Sequence, residues 1–314
     1  MRALWFENGQ VEVKSVPDPV AKKNESIVQV SLAGICNTDL ELLNGYAGFV
    51  GIPGHEFVGE VIEGPQELLN QRVVADINLA CNQCSECQQA NPHHCLQRAV
   101  LGIRSRPGAF AEYVSVPTRN LYPVSRDIDD HQAVFAEPLA AADAAVLQVA
   151  DASDPILVVG AGKLGLLVAH CLLADGKQVV VVQRNSLTVI SHRNFQNLSS
   201  SEVPEHAFAA AVECTGNPEG VAIALRALRP KGRLVLKSTY TDSLQLNIAE
   251  VVVNELRLIG SRCGSISRAL DRLASGQIDS NAMIAARYPL ERAAEAFAHS
   301  ARPGVLKVLL TPRQ

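Results

Sequence analysis

The pattern of apolar and polar positions changes along the chain and predicts two kinds of structure. Over residues 1 to about 125, short apolar runs alternate with Gly, Pro and Asn, which is typical of β-strands and their turns. These predicted strands are Val11–Val13, Ile27–Val30, Phe57–Ile62, Arg72–Ala75 and Phe110–Val116. From Ile156 onward, strand-like apolar runs alternate with helical runs, which indicates βαβ units and a parallel sheet.

Near residue 130 the pattern changes to an alanine-rich run, His131–Ala150, whose few breakers predict helix. The other predicted helices are 163–174, 218–228, 267–274 and 290–299, and the predicted strands are 156–159, 178–182, 209–213, 233–237, 256–259 and 305–310. Residues 184–206 are rich in Ser and Asn and only weakly periodic. We expect a shortened or missing crossover helix in that segment.

A glycine-rich turn, Gly-Ala-Gly-Lys-Leu-Gly, follows the apolar strand Ile156–Val159 and opens a helical run. In a G-x-G-x-x-G turn the first glycine permits the tight bend, the second lets the backbone approach a pyrophosphate, and the third lets the helix pack against the strand. The N–H groups at the helix start then face the negative charge. Such a turn also occurs without a ligand, but its place between strand and helix favours a dinucleotide site. The predicted binding residues are Gly160, Gly162, Lys163, Leu164 and Gly165.

Composition narrows the class of protein. A length of 314 residues exceeds the usual size of one domain, and 47% hydrophobic residues suffice for two cores. A net charge of −4 without runs of like charge argues against a nucleic-acid or anionic membrane surface. No apolar stretch reaches 18 residues and no signal-peptide pattern is seen, so we expect no membrane span and a cytoplasmic location. There, the eight cysteines are expected to be thiols, metal ligands or catalytic groups rather than disulfides.

Four of the cysteines form the pattern C-x2-C-x2-C-x7-C, made by Cys81, Cys84, Cys87 and Cys95. Four thiolates at this spacing can surround one tetrahedral Zn²⁺ and fill all its positions, as in structural zinc sites. Free buried cysteines rarely fall at such spacing, and an iron–sulfur cluster, which also takes four cysteines, is the other alternative. A closed zinc site would stabilise a lobe and do no chemistry.

A second group of candidate ligands lies nearer the start of the chain. Cys36 lies in Gly-Ile-Cys-Asn-Thr-Asp, and 19 residues later (55 − 36) His55 and Glu56 lie in Gly-His-Glu-Phe-Val-Gly. A thiolate, an imidazole and a carboxylate are the mixed ligands of a catalytic zinc, which keeps one position open for water or substrate. Taken singly, these residues are equally consistent with a buried thiol, a hydrogen-bonded loop histidine and a surface charge. Together they predict a metal site.

Four motifs, Gly-x-Cys-x-Thr-Asp, Gly-His-Glu-Phe-x-Gly, the four-cysteine segment and the glycine turn, occur here in the order of the zinc-dependent medium-chain alcohol dehydrogenases. The chain resembles that family over nearly its whole length. The resemblance implies an α/β fold in which a GroES-like β-rich catalytic domain is interrupted by a Rossmann domain with a doubly wound parallel sheet. The implied limits are 1–138 for the catalytic domain with its structural-zinc lobe at 81–95, 139–268 for the Rossmann domain and 269–314 for the return to the catalytic domain. In this family setting, zinc is favoured over an iron–sulfur cluster.

The resemblance also implies roles at the open metal site. Cys36 and His55 match zinc ligands. Glu137, in Ala-Glu-Pro-Leu-Ala, resembles the glutamate that replaces a ligand cysteine in the polyol, threonine and glucose dehydrogenase branch, where it binds zinc directly or through water. Glu56 matches a carboxylate that either enters the coordination sphere or only supports it, and both alternatives stay open. Asp39 matches the acceptor that orients the imidazole of His55.

Thr38 matches the hydroxyl that passes on the substrate proton. Zinc lowers the pKa of a bound alcohol, so that the alkoxide forms near neutral pH and hydride can pass to the nicotinamide. The relay of the family continues to a histidine at the fifth position after the cysteine, where this chain has Glu41. The proton therefore leaves either to Glu41 or through water. The implied catalytic set is Cys36, Thr38, His55, Glu56 and Glu137.

The residues after the second Rossmann strand bear on the choice of nicotinamide. A carboxylate there normally accepts from the ribose 2′-hydroxyl of NAD, whereas this chain has Gln183 and Arg184. Arg184 either pairs with a 2′-phosphate or is an exposed loop cation, and we favour NADP over NAD. Further on, Thr215 in Glu-Cys-Thr-Gly resembles the family's loop beside the cofactor, and Cys214 is expected to serve packing. Lys307 is expected to reach the pyrophosphate.

The leading hypothesis is a zinc-dependent oxidoreductase that transfers hydride between an alcohol or polyol, or its carbonyl product, and NAD(P), with one catalytic and one structural Zn²⁺. One alternative is a zinc-independent reductase of an activated double bond, a class that lacks the ligands present here. The other is a non-catalytic homologue that binds zinc and nucleotide. The expected partners are a small-molecule substrate and further copies of the chain in a homodimer or homotetramer, where Leu244–Ile259 serves as an interface or as an internal strand.

Overall fold

The structure is a computed structural model that describes residues 1–183, 195–239 and 243–313. None of the helices in these ranges has the length and the apolar run that crossing a bilayer requires. The described strands are β1 (Arg2–Glu7), β2 (Gln10–Ser15), β3 (Glu25–Gly34), β4 (Glu56–Glu63), β5 (Arg72–Ala75), β6 (Asn78–Leu79), β7 (Ala99–Leu101), β8 (Ser105–Arg106), β9 (Tyr113–Pro117), β10 (Leu121–Pro123), β11 (Ile156–Val159), β12 (Val179–Val182), β13 (Gln196–Leu198), β14 (Phe208–Glu213), β15 (Leu228–Leu236), β16 (Arg257–Gly260), β17 (Ile284–Pro289) and β18 (Lys307–Thr311). The described α-helices are α1 (Asn37–Leu43), α2 (Ser85–Gln88), α3 (Asp130–Ala133), α4 (Ala136–Leu147), α5 (Lys163–Ala174), α6 (Pro218–Ala227), α7 (Ile248–Val253), α8 (Ile266–Ala274) and α9 (Ala293–Ser300).

The chain divides into two compact units. One unit comprises Met1–Glu137 together with Ala269–Gln314, and the other comprises Pro138–Arg268. The domain limits predicted from the sequence, 1–138, 139–268 and 269–314, differ from this division by one residue at the first boundary.

The first unit is built on a seven-stranded sheet in the order β10-β5-β4-β3-β18-β17, with β9 also paired to β3. Strand β3 is its centre, because it pairs antiparallel with β4, β9 and β18. Aromatic rings fill the core of this unit, where Phe297 of α9 packs edge-on against Phe6 and Phe110 at centroid distances of 5.2 and 5.9 Å. The sheet brings β4, β3 and β18 side by side, and one of the two groups of candidate metal ligands lies where β3 ends and β4 begins.

The second unit contains a six-stranded sheet in the order β13-β12-β11-β14-β15-β16, and every described pairing in it is parallel. Strands β11 and β12 are apolar and buried throughout, as expected of strands covered on both faces. The strand order reverses between β11 and β14. In open α/β sheets, ligands bind outside the carboxyl ends of the strands at such a reversal. The glycine turn follows β11 at this place.

The alanine-rich run His131–Ala150 is mostly helical, as predicted. It forms two helices, α3 and α4, separated by Val134 and Phe135. The reason is Pro138, which has no N–H to donate to the carbonyl of Val134 and whose ring would clash with that carbonyl in a continuous helix. The chain therefore turns at the buried Phe135 and starts a new helix with Pro138 in its first turn.

The crossover between β12 and β14 is short in its described part. Residues 184–194 lie outside the described residues, and from 195 to 207 the structure contains β13 and no helix. The sequence predicts a shortened or missing crossover helix over 184–206, and the described part of that segment, 195–206, contains none. Val203 is buried in the same core cluster as Leu157 and Val180, so this part contributes to the core of the second unit.

Candidate functional site

The four sulfur atoms of Cys81, Cys84, Cys87 and Cys95 lie within 4.8 Å of one another. Sγ of Cys84 is 3.6 Å from Sγ of Cys87 and 3.8 Å from Sγ of Cys95. These separations are far too long for disulfides. They match the edge of a tetrahedron with metal–sulfur bonds of about 2.3 Å, which is about 3.8 Å long. The spacing fits one ion shared by four thiolates, whereas a multi-iron cluster distributes its thiolates over several metal atoms.

Backbone N–H groups of the same segment point at these sulfurs. The N–H of Cys81 donates to Sγ of Cys95 at 3.3 Å, and the N–H of Cys84 donates to Sγ of Cys81 at 3.4 Å. The N–H groups of Cys87 and Leu96 lower the pKa of the Cys84 thiol to about 6. Burial and then the neighbouring sulfurs raise the pKa of Cys87 to about 12. The backbone thus favours a thiolate at Cys84, whereas Cys87 needs a cation among the sulfurs to give up its proton.

The second group brings together donor atoms of Cys36, His55 and Glu56, which also lie within 4.8 Å of one another. Cys36 follows β3 and is the residue before α1, while His55 directly precedes β4. The antiparallel pairing of β3 with β4 sets Gly34 opposite Glu56. The sheet register therefore brings the two sequence motifs together.

The carboxylate of Asp39 contacts both Cys36 and His55. It is fully buried, and its Oδ2 accepts from the backbone N–H of Cys36 at 2.9 Å. Its Oδ1 lies 3.4 Å from Nδ1 of His55. Burial by itself lowers the pKa of His55, but the charge of Asp39 outweighs it and leaves that pKa well above its usual value. A carboxylate on one ring nitrogen fixes the imidazole and makes its other nitrogen a better metal ligand.

Glu56 forms a buried ion pair with Lys307 of β18, which was expected from the sequence to reach the pyrophosphate instead. Oε2 of Glu56 accepts from the ammonium, and the two side chains are 1% and 3% exposed. Burial lowers the pKa of Lys307, but the carboxylate of Glu56 and the thiol of Cys36 more than offset this, and the pKa stands above its usual value. The ammonium also lies 5.7 Å from the centre of the Phe135 ring. Lys307 is therefore a cation inside the candidate metal site.

Three buried atoms at this site have no assigned hydrogen bond among the described residues: Oδ1 of Asp39, Nδ1 of His55 and Oε1 of Glu56. The first two lie 3.4 Å apart and face each other, so Oε1 of Glu56 is the atom of the three that lacks a described neighbour of opposite charge. A buried polar atom without a partner costs free energy, and a bound cation offsets that cost for a carboxylate oxygen. A thiol, an imidazole and a carboxylate together suit Zn²⁺ better than Mg²⁺ or Ca²⁺, which prefer oxygen ligands. The residues present therefore fit a zinc ion.

The other residues predicted for this site lie as follows. Glu137 is the second residue of α4 and half-buried, and its carboxylate is outside the group of donor atoms within 4.8 Å. The hydroxyl of Thr38 lies 3.8 Å from Sγ of Cys36. Glu41 is exposed on α1. The structure thus brings Thr38 to the thiol, whereas Glu137 stands apart from the three clustered donors.

The glycine turn after β11 has the backbone that a close approach requires. Gly160 has a positive φ of 107°. A Cβ on Gly165 would lie 1.8 Å from the carbonyl oxygen of Gly160, so only glycine lets α5 start this close to the turn. A Cβ on Gly162 would meet nothing within 4 Å. Lys163 and Leu164 are the first two residues of α5. The backbone at Gly162 is therefore open to a phosphate at the start of a twelve-residue helix.

The loop after β14 is held by a buried carboxylate that the sequence analysis did not single out. Oε1 of Glu213 accepts from the N–H and from the hydroxyl of Thr215, both at 2.5 Å, and from the hydroxyl of Ser238 at 3.4 Å. The hydroxyl of Ser238 in turn accepts from the N–H of Gly216 at 2.9 Å. In the sequence, the glutamate of the Glu-Cys-Thr-Gly motif is the one feature from which this hydrogen bonding could have been inferred. Thr215 is thus fixed beside the glycine turn.

The remaining residues predicted to meet the cofactor are only partly described. Gln183 follows β12 and donates its N–H to the carbonyl of Leu198 at 3.1 Å. Arg184 lies outside the described residues. Burial raises the pKa of the Cys214 thiol, and the carboxylate of Glu213 raises it further. A neutral thiol is consistent with the packing role expected for Cys214.

Comparisons with known proteins agree with these features. The family model "Alcohol dehydrogenase GroES-like domain" matches residues 22–126. L-galactonate-5-dehydrogenase of Escherichia coli (strain K12) is 30% identical over 303 residues, which cover 89% of this chain and 88% of that protein. D-arabinitol dehydrogenase 1 of Uromyces fabae is 26% identical and covers 99% of this chain and 97% of that protein.

Among solved structures, a zinc-binding dehydrogenase from Sinorhizobium meliloti 1021 bound to NADP is 26% identical, covers 99% of both chains and has a TM-score of 0.91. The predicted fold class, a GroES-like domain with a parallel Rossmann-like sheet, is confirmed by the family model and by this likeness. The identity shared with L-galactonate-5-dehydrogenase over most of both chains shows the family. The chain belongs to the zinc-dependent medium-chain dehydrogenase/reductase family, among its alcohol dehydrogenase-like members.

Proposed function

We propose that this protein is a zinc-dependent oxidoreductase that transfers a hydride between an alcohol or polyol, or its carbonyl product, and NAD(P). The observation that carries the proposal is the group of the half-buried Cys36 and the buried His55 and Glu56, whose donor atoms lie within 4.8 Å of one another. A bound zinc supplies a Lewis acid that lowers the pKa of a substrate hydroxyl and polarises its carbonyl product. The relatives described above, which are named as dehydrogenases, support the same class of reaction.

Each residue of the site has a proposed part in this reaction. Cys36 and His55 hold the metal, and Asp39 keeps the imidazole in position for it. Glu56 or Glu137 completes the protein ligands. Glu56 is supported as one of them by its Oε1, which has no hydrogen-bond partner in the described part of the chain. The hydroxyl of Thr38 takes the proton from the substrate and passes it on. The exposure of Glu41 supports a proton exit to water on that side of α1.

A second zinc ion is proposed at Cys81, Cys84, Cys87 and Cys95, so the protein should hold two zinc ions per chain. Four thiolates fill every position of a tetrahedral ion and leave none for a substrate. The role of this ion is therefore to stabilise its lobe. The proposed domain limits place this lobe at 81–95 in the catalytic domain, with the Rossmann domain at 139–268.

The proposed cofactor is NADP rather than NAD. Support comes from Gln183 and Arg184, which stand where a carboxylate would repel a 2′-phosphate. In an Arg184→Ala variant, we expect the KM for NADP to rise about tenfold while the KM for NAD is unchanged, because a charge-assisted hydrogen bond contributes about 1.5 kcal/mol or more. Steady-state kinetics with both cofactors tests this. An equal loss with both would remove the case for NADP.

The proposed substrates are polyhydroxy alcohols, which the names of L-galactonate-5-dehydrogenase and D-arabinitol dehydrogenase 1 support as a class. The test is a panel of polyols, sugar acids and simple alcohols, followed by the absorbance of NAD(P)H, with zinc measured on the same sample. Turnover of a polyol with two zinc ions per chain is the expected result. One zinc per chain with reduction of an activated double bond would point to the zinc-independent reductase. Full zinc and bound NADP(H) without turnover would point to a non-catalytic homologue.

A homodimer or homotetramer is the proposed assembly. Among the described strands, β16 pairs with β15 alone, and Ile248, Val252 and Val253 of the neighbouring α7 are exposed. An unpaired strand edge beside apolar side chains supports an interface there, within the segment Leu244–Ile259. The molar mass in solution, measured by light scattering, tests this.

A further inference from the structure

We propose that Lys307 is a positioning residue that weakens the hold of Glu56 on the catalytic metal and so keeps that metal reactive. This inference rests on the proposed function, because it concerns the same metal site. It starts from the ion pair of two buried side chains, the carboxylate of Glu56 and the ammonium of Lys307, which are 251 positions apart in the chain.

The two oxygens of Glu56 have different surroundings. Oε2 accepts from the ammonium of Lys307, whereas Oε1 has no partner among the described residues. A donor oxygen of the same carboxylate lies within 4.8 Å of the donor atoms of Cys36 and His55. The ammonium and a metal ion therefore draw on one carboxylate. Charge drawn toward the ammonium is no longer available to the metal, so the bond between metal and Glu56 is weaker than it would be alone.

Gly34 leaves room in the sheet for this ion pair because it has no side chain. Gly34 lies in β3 between β4 and β18, the strands that carry the two partners. A Cβ on Gly34 would lie 2.6 Å from Oε2 of Glu56 and 3.2 Å from Cδ of Lys307. The ring of Phe135, with its centre 5.7 Å from the ammonium, adds a further contact that suits a cation. The lysine is thus held against Glu56 by the packing of three elements and is not free to move away.

The chemical consequence concerns the charge on the metal. A thiolate and a fully bound carboxylate would together cancel the two positive charges of Zn²⁺ and leave a poor Lewis acid. With Lys307 in place, Glu56 neutralises two cations at once, and the metal keeps more of its charge for the substrate oxygen. Glu56 also becomes a ligand that a substrate can displace, so the metal keeps an open position.

The test uses the full-length protein with Co²⁺ or Zn²⁺ in the catalytic site and compares Lys307→Met with Lys307→Arg. In Lys307→Met, we expect release of the metal to a chelator to slow about tenfold, kcat to fall about tenfold or more, and the visible absorption of Co²⁺ to shift as Glu56 binds it fully. Lys307→Arg keeps the positive charge and should retain the parent spectrum and the parent release rate. Release of the metal from Lys307→Met as fast as from the parent, with the spectrum unchanged, would overturn the inference.

A second variant background keeps the test decisive if Lys307→Met folds poorly. Glu56→Gln removes the negative charge, so adding Lys307→Met to it leaves no uncompensated carboxylate in the core. The buried ammonium also repels the metal directly, and this repulsion is the same whether residue 56 is Glu or Gln. The inference therefore predicts that Lys307→Met slows metal release clearly less in the Glu56→Gln background than in the parent. Equal slowing in the two backgrounds would contradict the inference. If the parent binds no metal beside the one at the four cysteines, the proposed function itself fails, which is a separate outcome.

Discussion

The two groups of candidate metal ligands are built in opposite ways. The four cysteines lie within the segment 81–95, and the backbone of that segment donates to their sulfurs. The group of Cys36 and His55 draws on separate elements, depends on Asp39 for its alignment and includes a pair between Glu56 and the distant Lys307. A local site can form with its own segment. The dispersed site exists only when β4, β3 and β18 are in register.

Burial separates the two groups as well. Three of the four cysteines are half-buried, and the segment they lie in has little core of its own. At the other site Asp39, His55, Glu56 and Lys307 are all buried. A metal at the cysteines therefore replaces missing apolar contacts and should matter for stability. A metal among buried charges should matter for reactivity, because electrostatic effects are strongest where water is excluded.

The largest expected effect is the loss of turnover in Cys36→Ser. Without the thiolate, the catalytic zinc is lost and with it about 4 kcal/mol of transition-state stabilisation, so kcat/KM should fall ~10³-fold. Zinc content should drop from two ions to one per chain, while the unfolding temperature changes little. Cys263→Ser, at a half-buried cysteine outside both groups, is the matched control. Full turnover with one zinc per chain would contradict the division of roles.

The next effect is a loss of stability in Cys84→Ser. Removing one thiolate should release the zinc of the four-cysteine segment and lower the free energy of unfolding by about 3 kcal/mol, or the unfolding temperature by about 6 °C. Once folded, the variant should keep the kcat of the parent. Calorimetry and kinetics on one sample measure both. A variant with the parent's thermal stability but a reduced kcat would show that the four cysteines serve turnover and not stability.

The smallest of the three effects belongs to Asp39→Asn. The amide no longer polarises the ring of His55, so zinc affinity and kcat/KM should each fall by about 10- to 100-fold. Competition with a chelator measures the affinity at the catalytic site, and the zinc at the four cysteines should be retained. Asp127→Asn, at an exposed carboxylate, serves as the control. Unchanged zinc affinity would show that Asp39 does not position the imidazole.

The local features could be predicted from the sequence, because their signals are contiguous. The strand Ile156–Val159 and the helix Lys163–Ala174 have the predicted bounds, since an apolar run, a glycine turn and a helical run follow one another directly. The four cysteines likewise reveal their clustering by spacing alone. By contrast, β13 is a mostly polar three-residue strand, and β17 reads Ile-Ala-Ala-Arg-Tyr-Pro, so neither shows a run of large apolar residues.

The partner of Lys307 could not be predicted for a different reason. Its local sequence, Lys-Val-Leu-Leu, is that of an ordinary buried strand with a cation at one end. That β18 pairs with β3 is a long-range event, and this pairing carries the lysine to Glu56. The only sign of the contact in the sequence is Gly34. A single glycine at the end of a strand does not indicate which side chains pack against it.

The position of Lys307 in β18 also sets an order of events on the ribosome. The last of the four cysteines, Cys95, is synthesised 212 residues (307 − 95) before this lysine. At 5–20 residues per second, that interval lasts roughly 10–40 s. The four-cysteine segment can therefore be complete while the dispersed site still lacks one of its strands. Because that site exists only once β18 has joined β3, Lys307 arrives with the strand that completes it, and Glu56 has its cation from the moment the site forms.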